Sequence, residues 1–158
     1  MISFPGVASP AAFGDRNTLK GIQTICVETA VVGDAAQAGI HGVTPQSLKE
    51  KVEWQLQEAG IRIAPPDVCR QLPGKPTLQV TALVLLFPGV ETHFHLTVNL
   101  DFVQEVLLAR DNKSRASAPT WSDSRSSLPP RQSLWDSVKG AVEVQVNDFA
   151  QAYFIANR

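Results

Sequence analysis

The sequence predicts one α+β domain, a two-layer sandwich in which a mainly antiparallel sheet of 4-5 strands carries two helices on one face, in the order β-α-β-β-β-(β)-α. Residues 93–102 alternate apolar and polar side chains, which is typical of a strand with one buried and one hydrated face. Residues 44–60 and 133–156 each carry a single apolar stripe at helical spacing. A length of 158 residues fits one such domain.

The first two predicted elements are a strand and a helix. Residues 22–29 are rich in β-branched side chains and predict the strand, and residues 33–42 read as a loop. Thr44-Pro45 favours a helix start, because the threonine hydroxyl can cap a free N–H and proline has none to lose. Gly60 supplies the stop. Between these signals one stripe is apolar, formed by Leu48, Val52, Leu56 and Ala59.

The remaining strands follow this helix. Residues 61–63 predict a short strand that Pro65-Pro66 ends, and a loop through Pro73-Gly74 follows. Residues 77–87 are apolar on both faces, which indicates a central strand. The alternation of residues 93–102 then loses phase near Val103, which predicts a bulge.

The last part of the chain predicts a hairpin and a long helix. Residues 110–113 form a plausible turn into a strand over 116–122, and residues 122–130 read as a loop. Ser133 and Asp136 match the Ser-x-x-acid start of a helix. Its apolar face is centred on Phe149 and includes Gln145, whose amide needs a hydrogen-bonding partner if it is buried.

The amino-terminal residues are expected to lie outside the folded domain. Residues 1–18 are predicted to be a flexible or loosely docked segment, and residues 19–158 the domain. Residues 7–12 have the small side chains found around signal-peptidase sites, so this segment is either the stub of a removed signal or an ordinary chain start. These residues leave localisation open between the periplasm or envelope and the cytoplasm, and the resemblance described below favours the periplasm or envelope. No transmembrane segment is predicted.

Charge and cysteine content narrow the function further. Fourteen Lys and Arg against fifteen Asp and Glu give a formal net charge of −1, so there is no net basic field to hold nucleic acid. Arg110, Arg115, Arg125 and Arg131 lie close in sequence but are interspersed with acidic residues, which favours a solvated loop. Cys26 and Cys69 lack metal-site spacing; they are interpreted as two buried thiols, with one disulfide in an oxidising compartment as the alternative.

Three local features resemble a known kind of domain. They are the helix end and short strand at residues 56–63, Thr120-Trp121-Ser122 after the last hairpin, and the closing segment 149–157. Together, over most of residues 19–158, they resemble small bacterial cell-envelope domains of the type at the amino terminus of TolB and in lipoprotein partners of secretion and assembly machines. The chain departs from those lipoproteins in having no lipobox cysteine near its start. The resemblance implies a non-enzymatic adaptor or assembly module.

Enzymatic chemistry has no local signature in this sequence. The nucleotide-binding glycine motifs, His-Glu-x-x-His and Gly-x-Ser-x-Gly are all absent, so no catalytic residue and no cofactor is predicted. His93 and His95 project from one face of a strand, and Glu91 or Asp101 could add an oxygen ligand. Two histidines are too few for a metal site, so they are interpreted as polar residues of a hydrated strand face. A small metal-binding protein or enzyme at this pair is the alternative.

Partner binding is the function that the surface residues favour. Trp54 lies opposite the apolar stripe of the first helix, beside Glu50 and Gln57, so it is expected to be exposed or covered by a neighbouring loop. We therefore expect a binding or assembly module of the envelope that makes protein contacts, or self-associates, through a sheet edge, the hydrated strand face with His93 and His95, and a helix surface.

Overall fold

The computed structural model describes residues 13–14, 16–111 and 113–158. One sheet of six strands runs in the order β1-β6-β5-β4-β2-β3. The strands are β1 (Phe13–Gly14), β2 (Thr24–Gly33), β3 (Arg62–Ile63), β4 (Thr77–Phe87), β5 (Val90–Leu107) and β6 (Arg115–Ser127). Strand β2 runs parallel to β3 and β4, and the other pairings are antiparallel. The predicted fold class is confirmed, and β4 is central.

Two long helices lie on one face of this sheet. The helices are α1 (Ala35–Ile40), α2 (Pro45–Glu58), α3 (Pro66–Cys69) and α4 (Leu134–Ala156), with 3-10 turns at Arg16–Leu19 and Arg131–Ser133. Helix α2 packs on β2 and on α4, and α4 packs on β5 and β6. None of the helices in the described residues is long and apolar enough to cross a membrane.

The core lies between the helices and the sheet. Phe149 of α4 is fully buried, with its ring centroid 5.2 Å from that of Phe102 and 5.4 Å from that of Trp121. Gln145 is also fully buried, and its Nε2 donates to the carbonyl oxygens of Val98 (2.9 Å) and Asp123 (3.3 Å), whereas its Oε1 has no partner among the described residues. The face of the sheet that points away from the helices is called the open face below.

The predicted signals at the ends of α2 are confirmed. The Ser47 backbone N–H donates to the Thr44 hydroxyl (3.1 Å), and the Thr44 N–H donates to the Ser47 hydroxyl (3.0 Å), which makes a capping box. Gly60 has a φ of +83°, and Ile61 N–H donates to the Leu56 carbonyl, so the chain leaves the helix through a left-handed glycine.

Three local predictions are wrong. The predicted loop at residues 33–42 contains α1, and the segment between Pro65 and Pro73 contains α3. Strand β6 continues to Ser127 through the predicted loop at 122–130. Helix α4 begins directly after Ser133, as predicted, although the Ser133 side chain makes no cap and a 3-10 turn leads into the helix. These errors have one cause: short helices and Ser-rich strands are stabilised here by tertiary neighbours rather than by local propensity.

The division at residue 18 stays a prediction. Residues 1–12 and 15 lie outside the described residues. Strand β1 pairs with β6 at Trp121 and Ser122. Leu19 is fully buried, and Asn157 at the end of α4 donates to its carbonyl oxygen (2.9 Å).

Candidate protein-interaction surfaces

The open face is polar where the middle of β5 pairs with β6. Side chains there meet across the two strands in hydrogen-bonded pairs, which are Ser122 with Asp101 (2.6 Å), Ser124 with Asn99 (2.6 Å) and Ser126 with Thr97 (2.9 Å). On the neighbouring strand, the Gln79 amide donates to the Glu28 carboxylate of β2 (3.2 Å). Cross-strand polar pairs of this kind let a sheet face water without a second layer.

The same face becomes apolar toward the β4–β5 hairpin. Val32 pairs with Leu83 in register, Leu85 follows on the same face of β4, and Phe87 pairs with Val90. Leu83 is partly buried, and the other four side chains remain 39% to 42% exposed. We call these five residues the apolar end. Grouped exposed apolar side chains of this kind make the apolar end a candidate contact surface.

Two local devices shape this end of the sheet. Asp34, just after β2, accepts the backbone N–H of Leu86 through Oδ2 (2.7 Å), next to a register shift between Leu86 and Phe87. Gly33 has a φ of +83°, and a β-carbon there would lie 2.4 Å from the Val84 carbonyl oxygen. Only glycine fits this close approach, which brings the end of β2 against Leu85.

Strand β2 also has an uncovered edge. Strand β3 pairs only with Thr24 and Ile25, whereas β2 continues to Gly33. The Cys26 N–H points to the β4 side, where it donates to the Pro76 carbonyl (2.8 Å). The alternation of a strand then turns the backbone groups of Val27, Thr29 and Val31 to the other side, where no described strand lies. This edge carries neither lysine nor proline from Thr29 to Gly33, so no common device blocks a further strand.

The predicted histidines lie beside the apolar end. His95 is directly opposite Leu85, and His93 Nδ1 lies 2.9 Å from the Thr92 hydroxyl. Asp101, a candidate third ligand, is six residues along β5 from His95, or roughly 20 Å, and is bonded to Ser122. Within the described residues, no group of three or more His, Cys, Asp and Glu could hold a metal ion. The metal alternative thus gains no support from the geometry.

The predicted helix surface lies on the other side of the molecule. Trp54 is 54% exposed, and Glu50 and Gln57 beside it on α2 are exposed as well. The Lys51 ammonium lies 4.7 Å from the centre of the indole ring. The structure therefore separates the five predicted contact residues into two surfaces, one with the histidines and one with Trp54. Whether either binds a partner stays a prediction.

The clustered arginines are largely engaged within the chain. Arg125 pairs with Asp123 (3.3 Å) and Asp148 (3.2 Å), and Arg115 lies 3.6 Å from Glu105. Arg131 stacks over Phe94, with its guanidinium carbon 5.6 Å from the ring centre. A nucleic-acid surface built on these residues gains no support from this arrangement.

The interpretation of the cysteines as buried thiols is wrong. Cys26 of β2 and Cys69 of α3 form a disulfide, with α-carbons 5.8 Å apart. The pairing arises because α3 lies beside β2, which the sequence did not predict. The disulfide lines a solvent-open cavity of about 460 Å³ under α2, together with Lys49, Arg70 and Lys75 among other residues.

Sequence reasoning missed the apolar end. Its signal was visible, since Leu83, Leu85 and Phe87 place apolar side chains on the second face of a strand. The same pattern is typical of a central strand covered on both faces, and that is how it was interpreted. In the described residues neither long helix covers this face, because α2 and α4 both lie on the opposite one, and α3 lies beside Cys26, far along β2 from Val32.

Comparison with known proteins gives structural neighbours only. No family model and no curated protein matches the sequence. A point variant of PelC from Paraburkholderia phytofirmans, solved as a dodecamer, is similar with a TM-score of 0.48 and 16% identity, over 82% of this chain and 89% of that one. A minor lipoprotein from Acinetobacter baumannii is similar with a TM-score of 0.34 and 12% identity, over 82% and 90% of the two chains. Likeness at this level assigns neither a family nor a function.

Proposed function

We propose that this protein is a non-enzymatic binding and assembly module of the cell envelope, which acts through protein–protein contacts at the apolar end. The observation that carries the proposal is the change of character along one sheet face, from hydrogen-bonded polar pairs to exposed Val32, Leu85, Phe87 and Val90. An ordinary hydrated face would stay polar throughout. The apolar stretch therefore serves a contact that the fold itself does not require.

The β2 edge gives this contact a second component. Val32 belongs both to the apolar end and to the uncovered part of β2. A partner that added a strand to this edge would gain main-chain hydrogen bonds from Thr29 and Val31, and its outward side chains would extend the apolar row. Main-chain bonds supply affinity and the apolar row supplies selectivity, which suits an assembly role better than turnover of a small molecule.

The disulfide supports a location in the cell envelope. Disulfides persist in oxidising compartments, such as the bacterial periplasm, and are rare in the cytosol. The Cys26–Cys69 bond therefore favours export of this chain over a cytoplasmic location.

Site-specific photo-crosslinking in the cells that make the protein tests the proposal. A photoreactive amino acid in place of Phe87 is expected to give a discrete adduct with another polypeptide, either a second copy or a foreign protein. Leu107 is the matched control, because it is 58% exposed but lies at the opposite end of β5. An absence of adducts at Phe87, or the same adducts at both positions, would contradict the proposal.

A further inference from the structure

We propose that the Cys26–Cys69 disulfide is a thiol–disulfide exchange site, at which an external dithiol attacks the Cys69 sulfur, displaces Cys26 as a thiolate and releases α3 from β2. The site lies apart from the apolar end, at the start of β4, where Cys26 pairs with Thr77. This inference is independent of the proposed binding function.

Access decides which sulfur is attacked. An incoming thiolate approaches a disulfide sulfur along the S–S axis, from the side opposite the sulfur that leaves. Cys26 is 4% exposed within β2, whereas Cys69 is partly exposed at the end of α3. Both cysteines line the cavity, but Cys69 is the more exposed of the two, so an external thiolate reaches its sulfur more readily. The Cys69 sulfur is therefore the electrophile.

The cavity favours the leaving thiolate. Three cations line it, Lys49, Arg70 and Lys75, against the two carboxylates Glu28 and Glu53. Lys49 lies 3.8 Å from Glu53, and Lys75 is 2.8 Å from Glu105, but Arg70 has no acidic partner among the described residues. A nearby uncompensated cation stabilises a thiolate, so it speeds departure of the Cys26 sulfur.

Helix α3 depends on this bond for its position. None of its four residues is buried, and the N–H groups of Val68 and Cys69 donate within the helix turn, to Pro65. The preceding residue, Ala64, is tied to β2 by its N–H bond to the Ile25 carbonyl (2.8 Å). Cleavage of the disulfide thus frees the segment between Ala64 and Gly74, whose carbonyl accepts the Glu105 N–H (2.8 Å), while the sheet keeps its pairing.

The exchange balances with a dithiol as the reductant. Its thiolate forms a bond to the Cys69 sulfur as the original S–S bond breaks, and Cys26 takes the electron pair. The second thiol of the reductant then attacks its own sulfur in the mixed disulfide and expels the Cys69 thiolate. The protein gains two electrons and two protons, and the dithiol becomes a disulfide.

A monothiol probe tests the direction of attack. The folded full chain is incubated with glutathione, quenched with acid, alkylated and mapped by mass spectrometry. We expect glutathione on Cys69 and the alkyl group on Cys26. Glutathione on Cys26, or an adduct that appears only as fast as the whole protein unfolds, would overturn the proposal.

Two further measurements complete the test. After reduction by a dithiol, tryptic cleavage following Arg70 should accelerate at least about tenfold and should outpace cleavage following Arg125, because α3 opens locally whereas β6 opens only when the sheet unfolds. The Arg70→Gln variant should exchange about threefold more slowly than the wild type, whereas Arg110→Gln, on the β5–β6 hairpin and outside the cavity lining, should match it. Equal protection of the Arg70 bond in both redox states would show that α3 is not released.

Discussion

The two ends of the sheet differ in how their side chains are packed and paired. At the end near the β5–β6 hairpin, Lys75 and Arg115 both reach Glu105, and the Cys26–Cys69 disulfide ties α3 to β2. At the other end, the side chains of Leu85 and Phe87 stand in solvent. We call the first the closed end, in contrast to the apolar end.

The two ends differ in whether their side chains find partners within the chain. The closed end satisfies its groups within one chain, by ion pairs, backbone hydrogen bonds and a covalent link. Leu107 and, on α3, Val68 are exposed apolar residues there, and isolated residues of that kind are normal on a monomer. The apolar end instead has a row of partly exposed apolar side chains, and this row is the surface proposed above to bind a partner.

The largest expected effect contrasts two phenylalanines on opposite faces of the sheet. Phe149→Ala removes a fully buried ring and is expected to lower the free energy of unfolding by roughly 3–5 kcal/mol. Phe87→Ala, at a site that is 40% exposed, should cost about 1 kcal/mol or less. Chemical denaturation measures both. Equal losses in the free energy of unfolding would mean that Phe87 belongs to a core and that the apolar end is not an exposed surface.

Loss of the disulfide should destabilise the closed end and the whole chain. The bond spans 43 residues, for which the chain-entropy relation gives a contribution of about 4 kcal/mol. The Cys26→Ser, Cys69→Ser double variant is therefore expected to lose about 2–4 kcal/mol in urea denaturation. A loss below about 1 kcal/mol would show that the closed end does not rely on its covalent link.

Trp54→Ser probes the exposed side of the helix layer. Because the indole lies opposite the buried stripe of α2, the free energy of unfolding should change by less than about 1 kcal/mol. If Trp54 anchors a partner, truncation would cost about 2 kcal/mol or more of binding free energy. Denaturation and sedimentation measure the two quantities separately. A variant that unfolds several kcal/mol more easily would show that the chain itself covers the ring.

The ion pairs at the closed end predict a titration. A hydrogen bond and the charge of Lys75, with a smaller contribution from Arg115, hold the pKa of Glu105 below its ordinary value. A lowered carboxyl pKa gives stability that is present above the ordinary value and is lost as the pH falls through the lowered one. Lys75→Gln should therefore raise the Glu105 pKa in a carbon-detected NMR titration. An unchanged pKa would show that the ion pair with Lys75 does not form in solution.

The smallest expected effect is at the histidines. We expect the purified protein to hold less than about 0.1 equivalent of zinc after dialysis, because structural zinc usually takes four ligands. Elemental analysis is the measurement. If the wild type holds one equivalent of zinc and the His93→Ala, His95→Ala variant holds none, the two histidines form a metal site beside the apolar end.

Regular periodicity made much of the fold predictable. The alternation at residues 93–102 and the stripe of α2 each repeat often enough to define an element and its buried face. Strand β6 was predicted too short, because Ser122, Ser124 and Ser126 carry little strand propensity and gain their partners only from β5.

The candidate surfaces were less predictable than the fold. Helical phase places Trp54 on the side of α2 opposite the buried stripe but leaves open whether a loop covers the ring; the structure shows the ring 54% exposed. The disulfide depends on α3 lying beside β2. The two cysteines are 43 residues apart, and this spacing does not predict that the two elements are neighbours in the fold. The apolar end looks in sequence like a strand covered on both faces, and only the placement of both long helices on one side reveals it as exposed.

Hydroxyl-radical footprinting shows whether a partner covers the apolar end in the cell. Labelling of Leu85 and Phe87 is compared between dilute purified protein and intact cells, with Leu107 as the internal reference. We expect strong labelling of all three side chains in the purified protein, and several-fold protection of Leu85 and Phe87, but not of Leu107, in the cell. Equal labelling of Phe87 in both settings would mean that nothing covers the apolar end and that the proposed contact does not form.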